Sequence, residues 1–311
     1  MGVKTRFKRS FFEEVCREYN LGSLRSYSNF DLGCVQTNIL LKTSLGKYVF
    51  RYYEIRTLDH IQFEVSLLDY LSKHNFLTPS PLKCNSGKFI TSHKSKFYAV
   101  FDYIPGKHRK RLSSKALNNL LKELAKLHNI TECYRLKGYN YREGHDVAYV
   151  LKECSLIHKK MNNQLSKERL KIIKDNLNKL EFPKSLSLGI VHADYNLSNL
   201  KFEKDKISGV LDFDDACYTH LNYDVASQIW YLAWKRDKIF DKKRARKIIK
   251  IYEKYRPLSK VEKKHLFDSL AILILTHMTW SFEGKGRHFD YYLKRLNWLM
   301  NIGREKFSSY L

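Results

Sequence analysis

The sequence predicts an α+β protein of two lobes: a small antiparallel β-sheet lobe with one helix, then a larger, mainly helical lobe. Three observations predict it. Side chains alternate with period two through residues 24–53 and again through 89–103. After Ile104-Pro105-Gly106 the apolar period becomes helical almost to the C-terminus. And 311 residues exceed what one hydrophobic core usually serves. The boundary falls at the Tyr103–Lys107 connection, giving an N-terminal lobe over 1–103 and a C-terminal lobe over 104–311.

In chain order, Phe11, Phe12, Val15, Cys16 and Tyr19 recur at helical spacing, so 8–20 is read as a short helix. Leu24–Phe30, Thr37–Thr43 and Lys47–Tyr53 read as strands, separated by turns at Asp31-Leu32-Gly33 and Ser44-Leu45-Gly46. A helix over His60–Lys73 puts Ile61, Val65, Leu68 and Leu71 on one face. Pro79 and Pro81 exclude helix or central strand, and strands at Phe89–Ser92 and Phe97–Tyr103 close the lobe. Helices are then expected at Ser113–Asn129, Asp146–Met161 and Lys167–Leu180. A short hairpin-like element interrupts them, and helices resume at Tyr223–Lys235, Lys242–Tyr255, Lys260–Phe282 and Phe289–Phe307.

Composition excludes several classes. At 43% hydrophobic and 14% aromatic residues the chain can bury a core, and 13 Gly and 5 Pro do not suit a fibrous or linker-rich protein. The net charge of +25 comes from basic residues spread along the chain, including Lys107–Arg111, Lys242–Lys250 and Lys260–Lys264. No aromatic-interleaved basic strip stands out, so no specific nucleic-acid partner is expected. Six cysteines without a C-x-x-C pair fit buried, reduced thiols. The basic start, Met1 to Arg9, runs into Phe11-Phe12-Glu13-Glu14 rather than an apolar signal segment. The longest apolar run, Leu270 to Leu275, is too short for a bilayer. A cytoplasmic protein without a membrane partner is expected; nothing in the chain sets its oligomeric state.

The chemistry concentrates in His192-Ala193-Asp194-Tyr195-Asn196-Leu197-Ser198-Asn199 and Leu211-Asp212-Phe213-Asp214. The order H-x-D-x-x-x-x-N, then an apolar residue and D-F, is that of a kinase catalytic loop followed by its metal-binding aspartate. Asp194 suits an acceptor hydroxyl that must be oriented and relieved of its proton. Asn199 and Asp212 offer hard oxygens to Mg²⁺ on ATP, and Asp214 could join a second ion or be a spectator. His192 reads as a structural hydrogen-bonding residue. Asp224, in Tyr223-Asp224-Val225-Ala226, reads as an acid that ties down the catalytic-loop backbone.

On the third strand, alternation puts Val49 and Arg51 on one face, Val49 to cover adenine and Arg51 to reach phosphates. Arg stands where most kinases carry Lys; its planar fork stays charged but changes the geometry. Glu64, on the next helix, is the carboxylate to pair with it. Gly33 could admit phosphate oxygens to backbone N–H groups, and the backbone of Asp102, Tyr103 and Ile104 could read an adenine edge. No G-x-x-x-x-G-K-[ST] is present, which disfavours a Walker-type NTPase.

These motifs, with Leu127-His128 and Tyr223-Asp224-Val225-Ala226, resemble the aminoglycoside phosphotransferase/choline kinase superfamily over residues 25–235. The run from Gly33 and Asn38 through Gly46–Glu54, then Phe63-Glu64 and Pro79-x-Pro81, is similar to its homoserine kinase branch. The resemblance implies a bilobal protein-kinase-like fold. With the motif chemistry it implies ATP- and Mg²⁺-dependent phosphoryl transfer to a small-molecule hydroxyl, most of all homoserine or a related amino alcohol. Asp214-Asp215 depart from that branch, which tends to carry aromatic residues there. An aminoglycoside, aminosugar or choline-type acceptor is the alternative, with candidate acceptor residues in Tyr141–Asp146 and Trp280–Arg287. A catalytically quiet kinase-fold protein would explain Arg51 but not the complete Asp194/Asn199/Asp212 set. A protein Ser/Thr kinase would need an activation segment longer than the few residues separating Asp212 from Tyr223.

Overall fold

The computed structural model describes residues 5–30, 35–132, 134–136, 144–234, 240–284 and 287–311. The chain divides into two compact units. The first comprises Met1–Lys110, Leu136–Tyr141 and Leu200–Asp214; the second comprises Arg111–Arg135, Arg142–Asn199 and Asp215–Leu311.

The first unit is built on a five-stranded antiparallel sheet of β1 (Leu24–Asn29), β2 (Thr37–Thr43), β3 (Lys47–Tyr53), β4 (Ile90–His93) and β5 (Lys96–Asp102), in the order β1-β2-β3-β5-β4. Period-two patterning selects one face: Thr37, Ile39, Leu41 and Thr43 of β2 are buried while intervening residues are not. Helix α1 (Arg9–Glu18) lays Phe12, Val15 and Cys16 against Leu41, Phe50, Tyr98 and Val100, so this first helix shares the sheet's core. Helix α2 (Leu58–Lys73) buries Ile61, Phe63, Val65, Leu67, Leu68 and Leu71. β3 is central, with Arg51 between Asn38 of β2 and Ala99 of β5. One paired strand on each side, β2 and β5, fixes its register, because a one-residue slip would turn Arg51 to the other face.

A hairpin of β7 (Leu200–Glu203) and β8 (Lys206–Val210) belongs to this unit although it lies a hundred residues further on. Its attachments explain why. Lys107 and Phe202 exchange backbone hydrogen bonds of 3.0 and 2.9 Å, and Ser208 Oγ donates to Pro105 O at 2.7 Å. Gly106 (φ 109°) is required here, since a Cβ would lie 2.3 Å from Ser208 Oγ and 3.0 Å from Phe202 O. Val210 N–H donates to Leu77 O and Thr78 Oγ1 to Val210 O, extending the attachment to the loop before Pro79.

The second unit is helical around one small strand pair. Helices α3 (Ser114–Thr131), α4 (Val147–Met161), α5 (Gln164–Leu177), α6 (Asn222–Ala233), α7 (Lys242–Tyr252), α8 (Lys260–Trp280), α9 (Arg287–Ile302) and α10 (Arg304–Ser308) enclose β6 (Leu188–Val191) and β9 (Cys217–His220). Side-chain caps start the helices: Ser113 for α3, Asp146 for α4, Asn163 for α5 and Ser259 with Glu262 for α8. α8 is buried almost all round from His265 to Thr279, which places it at the centre of the unit.

Three expectations differ from the structure in detail. The first lobe carries two helices, not one, because α1 buries Phe12, Val15 and Cys16 in the sheet's core. The catalytic segment is not one hairpin-like element but two antiparallel pairs, β6 with β9 and, between them in the sequence, β7 with β8. The single helix expected over Phe289–Phe307 is two, because Gly303 adopts φ 76° and breaks it. Among the described residues no helix is long and apolar enough to cross a membrane. The described cysteines Cys16, Cys84, Cys154 and Cys217 are free and buried.

Candidate active site

In the first unit, the side chains singled out on β3, on α2 and after β8 come together. Arg51 Nη2 stands 3.2 Å from Asp212 Oδ1, 3.4 Å from Asp214 Oδ1 and 3.6 Å from Glu64 Oε1. Its guanidinium lies over the Tyr53 ring at 5.4 Å. Burial works against the charge on Arg51; Glu64 and Asp212, then Asp214, outweigh it and hold its pKa well above the ordinary value. Glu64 is buried, whereas the Asp212 side chain is 47% exposed, so Asp212 is the carboxylate open to a hydrated ion.

Arg56 completes this cluster and was not singled out from the sequence. Its Nε is 3.0 Å and its Nη2 2.6 Å from Asp214 Oδ2, and Nε is 3.2 Å from Oδ1. Two arginines thus face three carboxylates, leaving one negative charge. Both oxygens of Asp214, the expected second-metal ligand, carry guanidinium contacts.

The remaining first-unit residues have separate settings. Val49 is half-buried on β3 opposite Leu40 and Phe101. Asp102 N–H donates to Ser80 O at 3.0 Å, and burial raises its carboxyl above the usual range. Lys201 Nζ donates to Ile104 O at 3.1 Å and lies 4.8 Å over the Tyr103 ring. Ile104 packs on Gly209, where a Cβ would come within 2.3 Å of it. The linker backbone is therefore pinned to the β7–β8 hairpin. Gly33 lies outside the described residues, as do residues 141–143 and the side chain of Arg287.

In the second unit, the loop after β6 presents Asp194. Asn199 Nδ2 donates to Asp194 Oδ2 (2.8 Å) and to its backbone O (3.0 Å). Asn196 Nδ2 donates to Asp194 Oδ1 (2.6 Å), and the Tyr231 hydroxyl donates to the same oxygen (3.3 Å). The loop is held from beneath. Asp224 Oδ2 accepts the N–H of His192 (2.7 Å) and Oδ1 that of Ala193 (2.9 Å), with Ala193 in the left-handed region at φ 67°. Asp224, expected to tie down this backbone, does so from the first turn of α6 and caps nothing with its side chain. His128, of the Leu127-His128 mark, places Nε2 3.3 Å from Asp224 Oδ2 and Nδ1 2.6 Å from the Tyr252 hydroxyl. His192 is buried, and its Nδ1 accepts from Asp194 N–H at 3.3 Å, a structural part.

The two candidate acceptor segments meet where both are described: His145 and Trp280 rings lie edge-on at 5.9 Å. His277 is next to Trp280 (5.0 Å) and stacks on Tyr292 (5.3 Å). Burial lowers His145 and His277 to about 4 each, so both imidazoles are neutral at pH 7. His145 and Asp146 also line a cavity of about 290 Å³ with Phe182, Thr219, His220 and Tyr223.

The fold and these side chains define the class, a protein-kinase-like phosphotransferase with an alcohol group as acceptor. A model of the phosphotransferase enzyme family matches residues 27–258, and the chain belongs to that family. It is 26% identical over 266 residues to the homoserine kinase of Bartonella henselae, covering 84% of this chain and 82% of that one. It is 27% identical over 271 residues to the homoserine kinase of Caulobacter vibrioides, covering 86% and 84%. Among solved structures it is similar to amicoumacin kinase hAmiN in complex with AMP-PNP, Ca²⁺ and Ami (TM-score 0.71, 16% identity, 97% and 94% covered). It is also similar to the microcompartment-associated aminopropanol kinase (TM-score 0.63, 14% identity, 97% and 98% covered). At such identities the structural likeness speaks for the fold.

Proposed function

We propose that this enzyme transfers the γ-phosphoryl group of ATP, with Mg²⁺, to the hydroxyl of homoserine or a closely related small amino alcohol. The single observation that carries the phosphotransfer reading is the Asp194 carboxylate, fixed on both oxygens by Asn196, Asn199 and Tyr231 in a loop that Asp224 anchors. A carboxylate held this way orients a hydroxyl and takes up its proton as the oxygen attacks. The likeness to homoserine kinases over more than four-fifths of the chain supports the acceptor.

Each expected metal ligand carries an oxygen suited to a hard cation. In the second unit Asn199 commits its amide nitrogen to Asp194, which leaves its carbonyl oxygen for an ion; in the first unit Asp212 offers a half-exposed carboxylate. Among the described residues no three His, Cys, Asp or Glu side chains form a metal cage by themselves. Mg²⁺ needs no such cage, since it takes one or two protein oxygens and completes its shell with phosphates and water. When bound, the ion neutralises charge on the phosphate oxygens. Arg51, kept in place by Glu64, supplies a forked donor to the same phosphates. Val49 and the backbone of residues 102–104 are assigned to adenine; 1–103 is read as the nucleotide-binding lobe and 104–311 as the catalytic and acceptor-binding lobe.

The test is ADP release across homoserine, aminoglycosides, choline, methylthioribose and a generic protein substrate. Homoserine is expected to give the highest kcat/KM. Asp194→Asn is expected to abolish turnover with ATP affinity retained; undiminished turnover in that variant would refute the role. A higher kcat/KM for an aminoglycoside or choline would reassign the acceptor and leave the phosphotransfer reading standing.

A further inference from the structure

We infer that Tyr231 is a positioning residue for the Asp194 carboxylate, and that its hydroxyl, not its ring, is what phosphoryl transfer requires. The inference rests on the phosphotransfer reading above. Tyr231 lies on α6, seven residues after Asp224, so one helix carries both the anchor of the loop backbone and a donor to the loop's carboxylate. Two helical turns separate those residues, and their spacing puts them on one helix face.

The hydrogen-bond count says what the phenol does. Asp194 Oδ2 faces Asn199 Nδ2, whereas Oδ1 faces Asn196 Nδ2 and the Tyr231 hydroxyl. Asn196 and Asn199 sit on the same short loop as Asp194 and move with it. Tyr231 is the one of the three donors that comes from a long helix. A loop aspartate whose partners are all on its own loop can rock as a unit; a donor from α6 gives its carboxylate plane an outside reference. Burial, and then the neighbouring Asp194, raise the phenol's pKa well above the ordinary tyrosine value, so the group stays protonated and donates. The ring itself needs no such partner, since an aromatic residue on α6 could serve packing alone.

Three variants and a spectrum test this. Tyr231→Phe keeps the ring and removes the hydroxyl; Tyr231→Leu removes both; Asn196→Ala removes the companion donor on Oδ1. Tyr231→Phe is expected to lower kcat about tenfold, nearly as far as Tyr231→Leu, with KM for ATP within twofold and an unchanged melting temperature. Asn196→Ala in the Phe background is expected to lower kcat further. A Phe variant that turns over like the wild type, with only Leu impaired, would overturn the inference and assign Tyr231 to packing. The phosphotransfer reading would still stand on Asp194→Asn. Independently of turnover, the resonance Raman doublet of Tyr231, taken as wild type minus Tyr231→Phe, should read a phenol donating to a carboxylate. It should shift in Asp194→Asn; an unshifted doublet would equally overturn the inference.

Discussion

Arg56 holds Asp214 with two donors, Nε at 3.0 Å and Nη2 at 2.6 Å from the same carboxylate oxygen. The pair matters because Asp214 also lies 3.4 Å from Arg51 Nη2, the nitrogen that Glu64 approaches at 3.6 Å. A carboxylate already engaged by Arg56 draws less on Arg51. The Arg51 guanidinium can then stay with Glu64 and Asp212.

Arg56→Met should therefore displace Arg51 toward Asp214 and weaken nucleotide binding. We expect KM for ATP to rise about tenfold, roughly 1.4 kcal/mol, with kcat less affected. Arg56→Lys keeps the charge but not the fork and should fall between the two. Titration calorimetry with Mg·ATP reads this directly. Binding unchanged in Arg56→Met would mean that Arg51 is positioned by Glu64 alone.

Asp224→Asn should cost both stability and turnover. The carboxylate is fully buried and accepts two backbone N–H groups while facing His128 at 3.3 Å. An amide can accept only at its oxygen, so one N–H of the pair loses its partner. Leaving a buried donor of a charge-assisted pair unmet costs about 2–4 kcal/mol. Urea unfolding should show that loss. Turnover should fall more than metal-free ATP affinity, since Val49, Arg51 and the backbone of residues 102–104, assigned to the nucleotide, are not on the loop that Asp224 holds.

Much of this was legible in the sequence, for reasons that can be named. β2 alternates strictly on a half-buried sheet and β3 does so in part, with Tyr52 and Tyr53 both buried at its end; the bounds of both read directly. The H-x-D-x-x-x-x-N and D-F motifs lie within single short segments, so spacing alone located Asp194, Asn199 and Asp212. What stayed hidden depends on partners distant in sequence. The pairing of β6 with β9, with β7 and β8 between them in the sequence, leaves no local periodic trace. Arg56 lies three residues past β3 in neither a strand nor a helix pattern; the one available hint was the extra acid in Asp212-Phe213-Asp214-Asp215, which calls for an extra cation. Tyr231 looks like any core aromatic on α6 until the direction of its hydroxyl is known.

Acid should unfold the protein through two histidines. Burial lowers His145 and His277 from an ordinary 6.5 to about 4; Asp224 partly offsets this at His145, and His145 itself adds to it at His277. A depressed folded-state pKa means that the unfolded chain binds the proton first. The stability they contribute is thus complete above about pH 6.5 and is lost as pH falls toward 4. Each group can add a slope of up to about 1.4 kcal/mol per pH unit across that window. Urea melts at pH 7, 5.5 and 4.5 should show the decline. His277→Phe, which preserves the stack on Tyr292, should flatten it; an equally steep decline in the variant would assign the acid sensitivity to other groups.

Asp212 should separate metal binding from backbone strain. It sits at φ 64°, a left-handed conformation that Asn and Asp tolerate better than Ala, at a difference of about 1 kcal/mol. Both Asp212→Asn and Asp212→Ala remove the carboxylate, and with it the partner 3.2 Å from Arg51. Both should therefore lose the Mg²⁺-dependent part of nucleotide affinity to the same extent in calorimetric titrations with and without the ion. Only Asp212→Ala should also pay in stability, melting below Asp212→Asn. If Asp212→Asn kept its Mg²⁺-dependent affinity, an oxygen at this position would suffice and the charge would be dispensable. If both variants melted alike, the left-handed turn would cost Ala nothing, and the residue's identity would answer to the metal alone.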